Sequence, residues 1–244
     1  MYRNLRLLAV VPARGGSKGI PLKNIQPVLG LPIVARVAEL LNSMDCFDCS
    51  IISSDNESII EVASEYGLEA PFRRPESLSG DRIGDYDVLL HALNEAEAKN
   101  SVEYDAIVML QPTSPLRRAH HIMDALDLFV EGNYDAVWSV SKSDTKNHPL
   151  KQLKLEDDKL SYYDSRGSKI IARQQLETLY QRNGIVYVVS RACLTEQKSI
   201  KGARTGAYIV TDPSVSIDTL EDIDYVEFLM SKYGDPLRID QQSR

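Results

Sequence analysis

Cysteine is scarce in this chain and a cationic surplus is absent. Three cysteines in 244 residues do not make a disulfide framework. The one close pair, Cys46-Phe47-Asp48-Cys49, precedes the run Ser50-Ile51-Ile52-Ser53, whereas a redox pair would be expected to open a helix, so these thiols read as structural. Asp and Glu number 35 against 28 Lys and Arg, for a net charge of −7. An acidic chain of this kind is not drawn to nucleic acid or to an anionic membrane, and any functional cations must act locally. No stretch approaches the roughly 18 consecutive apolar residues of a membrane span, and residues 1–9 carry no signal-peptide pattern; the expectation is a soluble cytoplasmic protein. Internal repeats and low-complexity linkers are missing, leaving only a polar end at residues 240–244. His120 and His121 are adjacent, so on a helix their side chains would point about 100° apart; they read as surface or cap-region residues, and the sequence displays no zinc site.

The P-loop pattern Gly-x-x-x-x-Gly-Lys-Ser/Thr and the dinucleotide fingerprint Gly-x-Gly-x-x-Gly are also lacking, which argues against an ATPase or an NAD-dependent dehydrogenase. What stands at the amino terminus instead is an apolar run over residues 5–11 that breaks into a glycine-rich loop carrying three cations, Arg14, Lys18 and Lys23. Such a run is of the kind buried inside a parallel sheet, and the loop that follows leaves the sheet at its carboxyl edge, where open α/β sheets bind ligands. Glycines let main-chain N–H groups approach phosphate oxygens, Arg14 can fork onto an oxyanion, and the two lysines act as point charges. The loop reads as a polyphosphate clamp; the competing reading is a tight glycine turn with solvated lysines.

The length suits one α/β domain, residues 1–244, with a sizeable core. Apolar runs alternate with amphipathic stretches, which predicts a mostly parallel sheet flanked by helices. Strands are expected near 5–11, 49–53, 105–110, 135–140 and 185–190, and helices near 32–43, 57–66, 85–98, 116–131 and 219–232. Ser114-Pro115 fits N-cap and first-turn chemistry, placing residues 111–114 at a strand-to-helix junction on the ligand edge. Residues 142–182 break the rhythm. Within them, 151–155 and 160–163 predict an antiparallel hairpin around Glu156-Asp157-Asp158-Lys159, too polar for core and readable as a surface insertion.

The segment Arg14-Gly15-Gly16-Ser17-Lys18-Gly19-Ile20-Pro21-Leu22-Lys23-Asn24 resembles the amino-terminal signature of the acylneuraminate cytidylyltransferases, or CMP-sialic acid synthetases, which activate nine-carbon 2-keto sugar acids with CTP. The resemblance recurs in the family's order at Ser53-Ser54-Asp55, Arg74-Pro75-Glu76, Leu110-Gln111-Pro112-Thr113-Ser114-Pro115-Leu116-Arg117, Arg173-Gln174-Gln175, Asn183-Gly184 and Ile217-Asp218-Thr219. It implies a Rossmann-like nucleotidyltransferase fold, Mg²⁺ as cofactor, and CTP and a sugar acid (sialic, legionaminic or pseudaminic) as partners. It further implies a homodimer in which the inserted arm, residues 142–182, reaches over the partner's active site. Two rivals stay open: an eight-carbon keto-sugar acid as substrate, and a non-catalytic nucleotide- or sugar-binding module.

The implied reaction is attack of the sugar's anomeric hydroxyl on the α-phosphate of CTP, which demands positioning and charge neutralisation above all. By the resemblance, Arg14 and Lys23 bind the triphosphate, with Gly16, Ser17 and Lys18 completing the cradle, and Arg74 and Asn24 read the base. Asp85 stands where a serine is usual; its carboxylate can accept from the cytosine amine or cap the helix that starts there. Gln111, with Thr113 and Ser114 behind it, matches the segment lining the gap between nucleotide and sugar, the competing reading being a strand-end turn. Arg173, with Gln174, matches the motif whose arginine meets the sugar carboxylate across the dimer interface. Many members place an arginine directly after the aromatic residue equivalent to Tyr180, whereas here the charge moves to Arg182. Asp218 matches the metal-binding aspartate, but the usual Asp-Ile-Asp is Ser216-Ile217-Asp218, so one carboxylate of the pair is gone. Glu221 and Asp222 lie too far along the next helix to be taken as substitutes.

Overall fold

The first apolar run forms the strand β1 (Leu7–Pro12), and its alternation splits it between two cores. Leu7, Ala9 and Val11 enter one, Leu8 and Val10 the other, as a two-residue period requires. Both faces are covered, which is why the run is continuously apolar rather than alternating. A computed structural model describes residues 1–242 of the chain. After β1 come β2 (Pro27–Val28), β3 (Leu31–Pro32), α1 (Ile33–Asn42), β4 (Cys49–Ser53), α2 (Glu57–Glu65), α3 (Asp85–Asn100), β5 (Ala106–Met109), α4 (Ala119–Glu131) and β6 (Ala136–Lys142). The second half holds β7 (Leu153–Glu156), β8 (Lys159–Tyr162), β9 (Tyr180–Ser190), α5 (Arg191–Thr195), β10 (Thr205–Ile209), α6 (Leu220–Tyr233) and α7 (Pro236–Gln242).

The central sheet runs β10-β6-β9-β5-β1-β4. β1 pairs parallel with β4 and β5, β10 parallel with β6, and β9 lies antiparallel between β5 and β6. All strands but β9 therefore point the same way, and their carboxyl ends share one edge, where ligand sites of such sheets form. Helices α1, α2 and α4 pack on one face and α3 and α5 on the other. A third core, built from Ile20, Val28, Ile33, Leu116, Ile217, Val226, Leu229 and Met230, fastens the glycine loop and the segment before α6 to the body. This mixed α/β architecture, mostly parallel and flanked by helices, is the one the sequence pattern predicts.

Three local expectations need correction. Ser114 does not cap a helix: Arg117 N–H bonds to Ser114 O at 3.2 Å in a turn, and α4 starts only at Ala119. The cap there is made by His121, whose Nδ1 accepts from Arg118 N–H at 3.1 Å. The sheet also contains β10, which the pattern did not predict, and β9 begins at Tyr180 instead of near 185. The hairpin is found as β7 and β8, every residue of both strands exposed, with Asp157 and Asp158 at positive φ in its turn, as two-residue hairpin loops prefer. Of the polar carboxyl-terminal stretch, residues 240–242 belong to α7, and Ser243 and Arg244 lie outside the described residues. The three cysteines are free and buried; burial pushes Cys46 and Cys193 up to about 11, away from thiolate reactivity.

Candidate active site

A cavity of about 620 Å³ opens at the carboxyl edge of the sheet, between the loop after β1, the segment before α3, the turn after β5 and the segment before α6. It gathers ten of the residues singled out from the sequence: Arg14, Ser17, Lys18, Lys23, Asn24, Arg74, Asp85, Gln111, Thr113 and Asp218. These come from four stretches far apart in the chain. The glycine loop is drawn close to its opposite wall at Gly19, where an added Cβ would meet the Asp218 carbonyl oxygen at 2.4 Å. A side chain at that position would force the two walls apart.

The cavity's cations are held by carboxylates. Arg14 donates to Asp81 at 2.6 Å and Lys18 lies 2.5 Å from the other oxygen of the same carboxylate. Lys18 and then Arg14 hold the Asp81 carboxyl below the usual carboxylate range. On the far side, Lys23 Nζ donates to Asp218 Oδ1 and to Ile217 O, both at 2.8 Å. Two anions thus occupy the three cations that the sequence marks as a phosphate clamp, and a polyphosphate is the ligand that could displace them. No motif in the sequence marks Asp81; its one signal is that it lies between Arg74 and Asp85.

The buried polar residues of the cavity are fixed. Arg74 is buried, donates through Nε to Ser79 Oγ at 3.2 Å, and has Asp55 3.8 Å away; Asp55 in turn accepts from Gly15 N–H at 2.9 Å. Asn24, also buried, donates to Arg14 O at 3.0 Å, so its amide both orders the loop and faces the cavity. Asp85 is the first residue of α3, and Gly84 holds the cap position without a side-chain cap bond; the capping alternative is set aside. Partial burial raises the Asp85 pKa against the pull of Arg182.

Asp85, Gln111 and Ser216 also wall a second cavity, of about 280 Å³, which Arg182, Asn183 and Tyr187 help to line. Arg182 is its one cation and lies over the Trp138 ring at 5.2 Å. Two adjoining polar cavities divided by Gln111 suit two ligands that must meet. Other predicted residues lie elsewhere. Gly16 faces open space. Ser114 is buried and donates to Asn183 O at 3.1 Å, lining neither cavity. Arg173 and Gln174 sit in a short turn on the exposed arm, and Tyr180 opens β9, also exposed.

Asp218 is largely exposed to the first cavity, and Ser216 Oγ lies 3.5 Å from Thr113 Oγ1. One carboxylate and two hydroxyls are hard oxygen donors of the kind Mg²⁺ accepts, provided phosphate and water complete the shell. Asp222 is committed to its helix. Its carboxylate accepts from Asp218 N–H at 2.9 Å and Thr219 N–H at 2.8 Å, a capping box for α6.

Among the described residues one other group of donors converges: His120, His121 and Asp212, within 4.8 Å of one another. The two rings do not diverge as helix spacing suggested; both Nε2 atoms approach the same Asp212 oxygen, at 3.2 and 3.0 Å. Because His121 Nδ1 accepts a backbone N–H, its proton sits on Nε2 and is donated to Asp212. That assignment leaves His121 no lone pair for a metal.

The family model described as cytidylyltransferase matches residues 8–243. The N-acylneuraminate cytidylyltransferase of Streptococcus agalactiae serotype V is 31% identical over 225 residues, covering 91% of this chain and 52% of the relative; the chain thus spans about half the length of that protein. The CMP-N,N'-diacetyllegionaminic acid synthase of Legionella pneumophila is 30% identical, covering 91% of this chain and 94% of the relative. Among solved structures, a CMP:2-keto-3-deoxy-manno-octonic acid synthetase complexed with CTP shares the fold, with a TM-score of 0.67 at 16% identity over 93% of this chain and 99% of its own.

Proposed function

Because the chain belongs to the cytidylyltransferase family, we propose that it transfers CMP from CTP to a nine-carbon 2-keto sugar acid and releases pyrophosphate. One observation carries this reading: a cavity lined by three paired cations and by buried Arg74 and Asn24 adjoins a second polar cavity, with Gln111 lining both. CTP lies in the first, its phosphates replacing Asp81 and Asp218 on Arg14, Lys18 and Lys23, with Gly16 and Ser17 leaving room for the chain to approach. Arg74 donates to cytosine O2, and Asp85 accepts from the cytosine amine. The acid lies in the second cavity. Its anomeric oxygen attacks the α-phosphorus, the bond to the β-phosphate bridge oxygen breaks, and the hydroxyl proton passes to water. Gln111, which can both donate and accept, orients the hydroxyl, while Arg14 and Lys23 neutralise charge growing on the leaving pyrophosphate. Asp218 would hold Mg²⁺, which supplies further neutralisation of the phosphates.

The arm supports a homodimer as part of the same reading. Arg173 lines neither cavity of its own chain, and the arm exposes Leu155, Leu160 and Ile171, apolar surface that calls for cover. In this arrangement Arg173 and Gln174 meet the acid's carboxylate in the partner's second cavity, with Tyr180 at the arm's return. No helix among the described residues is long and apolar enough to cross a membrane, which accords with work on soluble substrates in the cytoplasm. Pyrophosphate release from CTP and Mg²⁺ over a panel of sialic, legionaminic, pseudaminic and eight-carbon keto acids tests the proposal. Release with a nine-carbon acid is expected; release with the eight-carbon acid alone, or with none, would overturn it.

A further inference from the structure

Arg117 is 3% exposed and has no carboxylate within ion-pair distance among the described residues. Its guanidinium is spent on main-chain carbonyls. One terminal nitrogen donates to Gln111 O at 2.6 Å and Gly184 O at 3.1 Å, and Nε donates to Ile185 O. Burial pulls its pKa down to about 9. An uncompensated buried cation is costly, and an apolar side chain of similar size would be cheaper in a position that only needed filling.

What it joins is the wall between the two cavities. Gln111 lines both, and Gly184 lines the second. β9 bulges here, between its pairings at Arg182 and at Tyr187, and Gly184 takes φ +71°. An added Cβ there would stand 2.5 Å from Gln111 Oε1. The bulge turns its carbonyls inward, where each needs a donor, and Ser114 Oγ serves the Asn183 carbonyl while Arg117 serves the next two. Asn183 continues the network by donating to Ser141 Oγ at 3.0 Å, which lies 3.1 Å from Ser214 Oγ on the loop after β10. A planar fork of several donors can reach the turn after β5 and the β9 bulge at once; a lysine ammonium reaches fewer.

We infer that Arg117 is a positioning residue: it locks the turn after β5 to the β9 bulge, and so fixes Gln111 at the distance that brings the acid's hydroxyl onto the nucleotide. This rests on the proposed transfer reaction. Misplacement of about 1 Å in such an arrangement lowers turnover by about 10²-fold without touching the reacting groups.

Arg117→Lys and Arg117→Met, compared with the unaltered chain, test it. The CTP dissociation constant, measured calorimetrically, should stay within about 3-fold, because the clamp cations lie on other segments, while turnover falls about 10²-fold and the Michaelis constant for the acid rises. In Arg117→Lys, turnover should fall further as pH rises, since a buried lysine loses its charge more readily than arginine. Hydrogen exchange over residues 181–188, measured without substrate, should speed up in Arg117→Lys while β1 and β5 keep their protection. Should the unaltered chain turn over no acid at all, the proposed reaction fails and this exchange measurement still decides the locking. A folded Arg117→Lys chain with unchanged exchange in 181–188, or with unchanged turnover and Michaelis constants, would overturn the inference, as would loss of CTP binding in step with turnover. If Arg117→Met does not fold, the lysine variant alone carries the test.

Discussion

Asp81 and Asp218 each hold cations that a triphosphate would claim, and this makes the clamp residues separable from the fold. Arg14, Lys18 and Asp218 are substantially exposed, so they support little core. Arg14→Ala and Lys23→Ala should each lower turnover about 10²-fold or more, the range for removing a preorganised charge-stabilising donor, with the melting temperature of Arg14→Ala within a few degrees of the parent; near-normal turnover in both would return the loop to a glycine turn. The metal question also sits at single residues. Asp218→Asn should lose most activity at ordinary magnesium and recover part of it at higher concentration, whereas Ser216→Asp should bind the ion at least as tightly, because each hard oxygen ligand adds affinity. A magnesium titration indifferent to Asp218→Asn would remove that residue from the site. That Arg14, Lys18 and Lys23 share one cavity was legible in the sequence, because they follow an apolar run whose loop leaves the sheet at its carboxyl edge. Arg117 was not: its importance lies in which carbonyls face it after folding, and no spacing encodes that.

Elements were legible where both faces of a strand or one stripe of a helix are buried, as in β1, β4, β5 and α1. They were not where tertiary pairing decides. β10, Thr-Gly-Ala-Tyr-Ile at the sheet edge, alternates weakly and is strand only because β6 is beside it. α4 starts late because the turn at 114–117 is held by Arg117 and Ser114, and a new cap forms at Arg118 and His121. That cap predicts an acid sensitivity. Burial, then the neighbouring His120, lower the His121 pKa from 6.5 to about 4. The folded state thus disfavours the proton that the unfolded chain takes up below 6.5, and stability contributed by neutral His121 is present above that pH and lost as pH falls through the window towards 4, by about 3 kcal/mol in all. Denaturant melts over this range should trace the loss, and His121→Gln should flatten it; equal slopes in both chains would refute the assignment. The arm makes a separate prediction. Arg14→Ala chains mixed with Arg173→Ala chains should regain activity after subunit exchange, because one of the two sites in a heterodimer would combine an intact Arg14 with an intact Arg173. A mixture that exchanges subunits and stays inactive would place both residues in one chain's site.

The whole molecule is an acidic α/β body whose like-pointing strands deliver the loop after β1, the turn after β5 and the segment after β10 to one edge. Its net charge of −7 leaves the ligand-edge cations as a local exception that suits a polyphosphate rather than a polyanionic polymer. The activity proposed for this edge is transfer of the α-phosphate of CTP to a sugar acid's anomeric oxygen. Phosphorus NMR of the unaltered chain with CTP, Mg²⁺ and a nine-carbon 2-keto acid tests it most directly. The three CTP resonances should give way to one phosphodiester resonance and pyrophosphate in equal amounts, with loss of the product resonance in Arg14→Ala. CTP that persists with every acid, or that decays to CMP and pyrophosphate without a sugar-linked phosphodiester, would rule out that transfer.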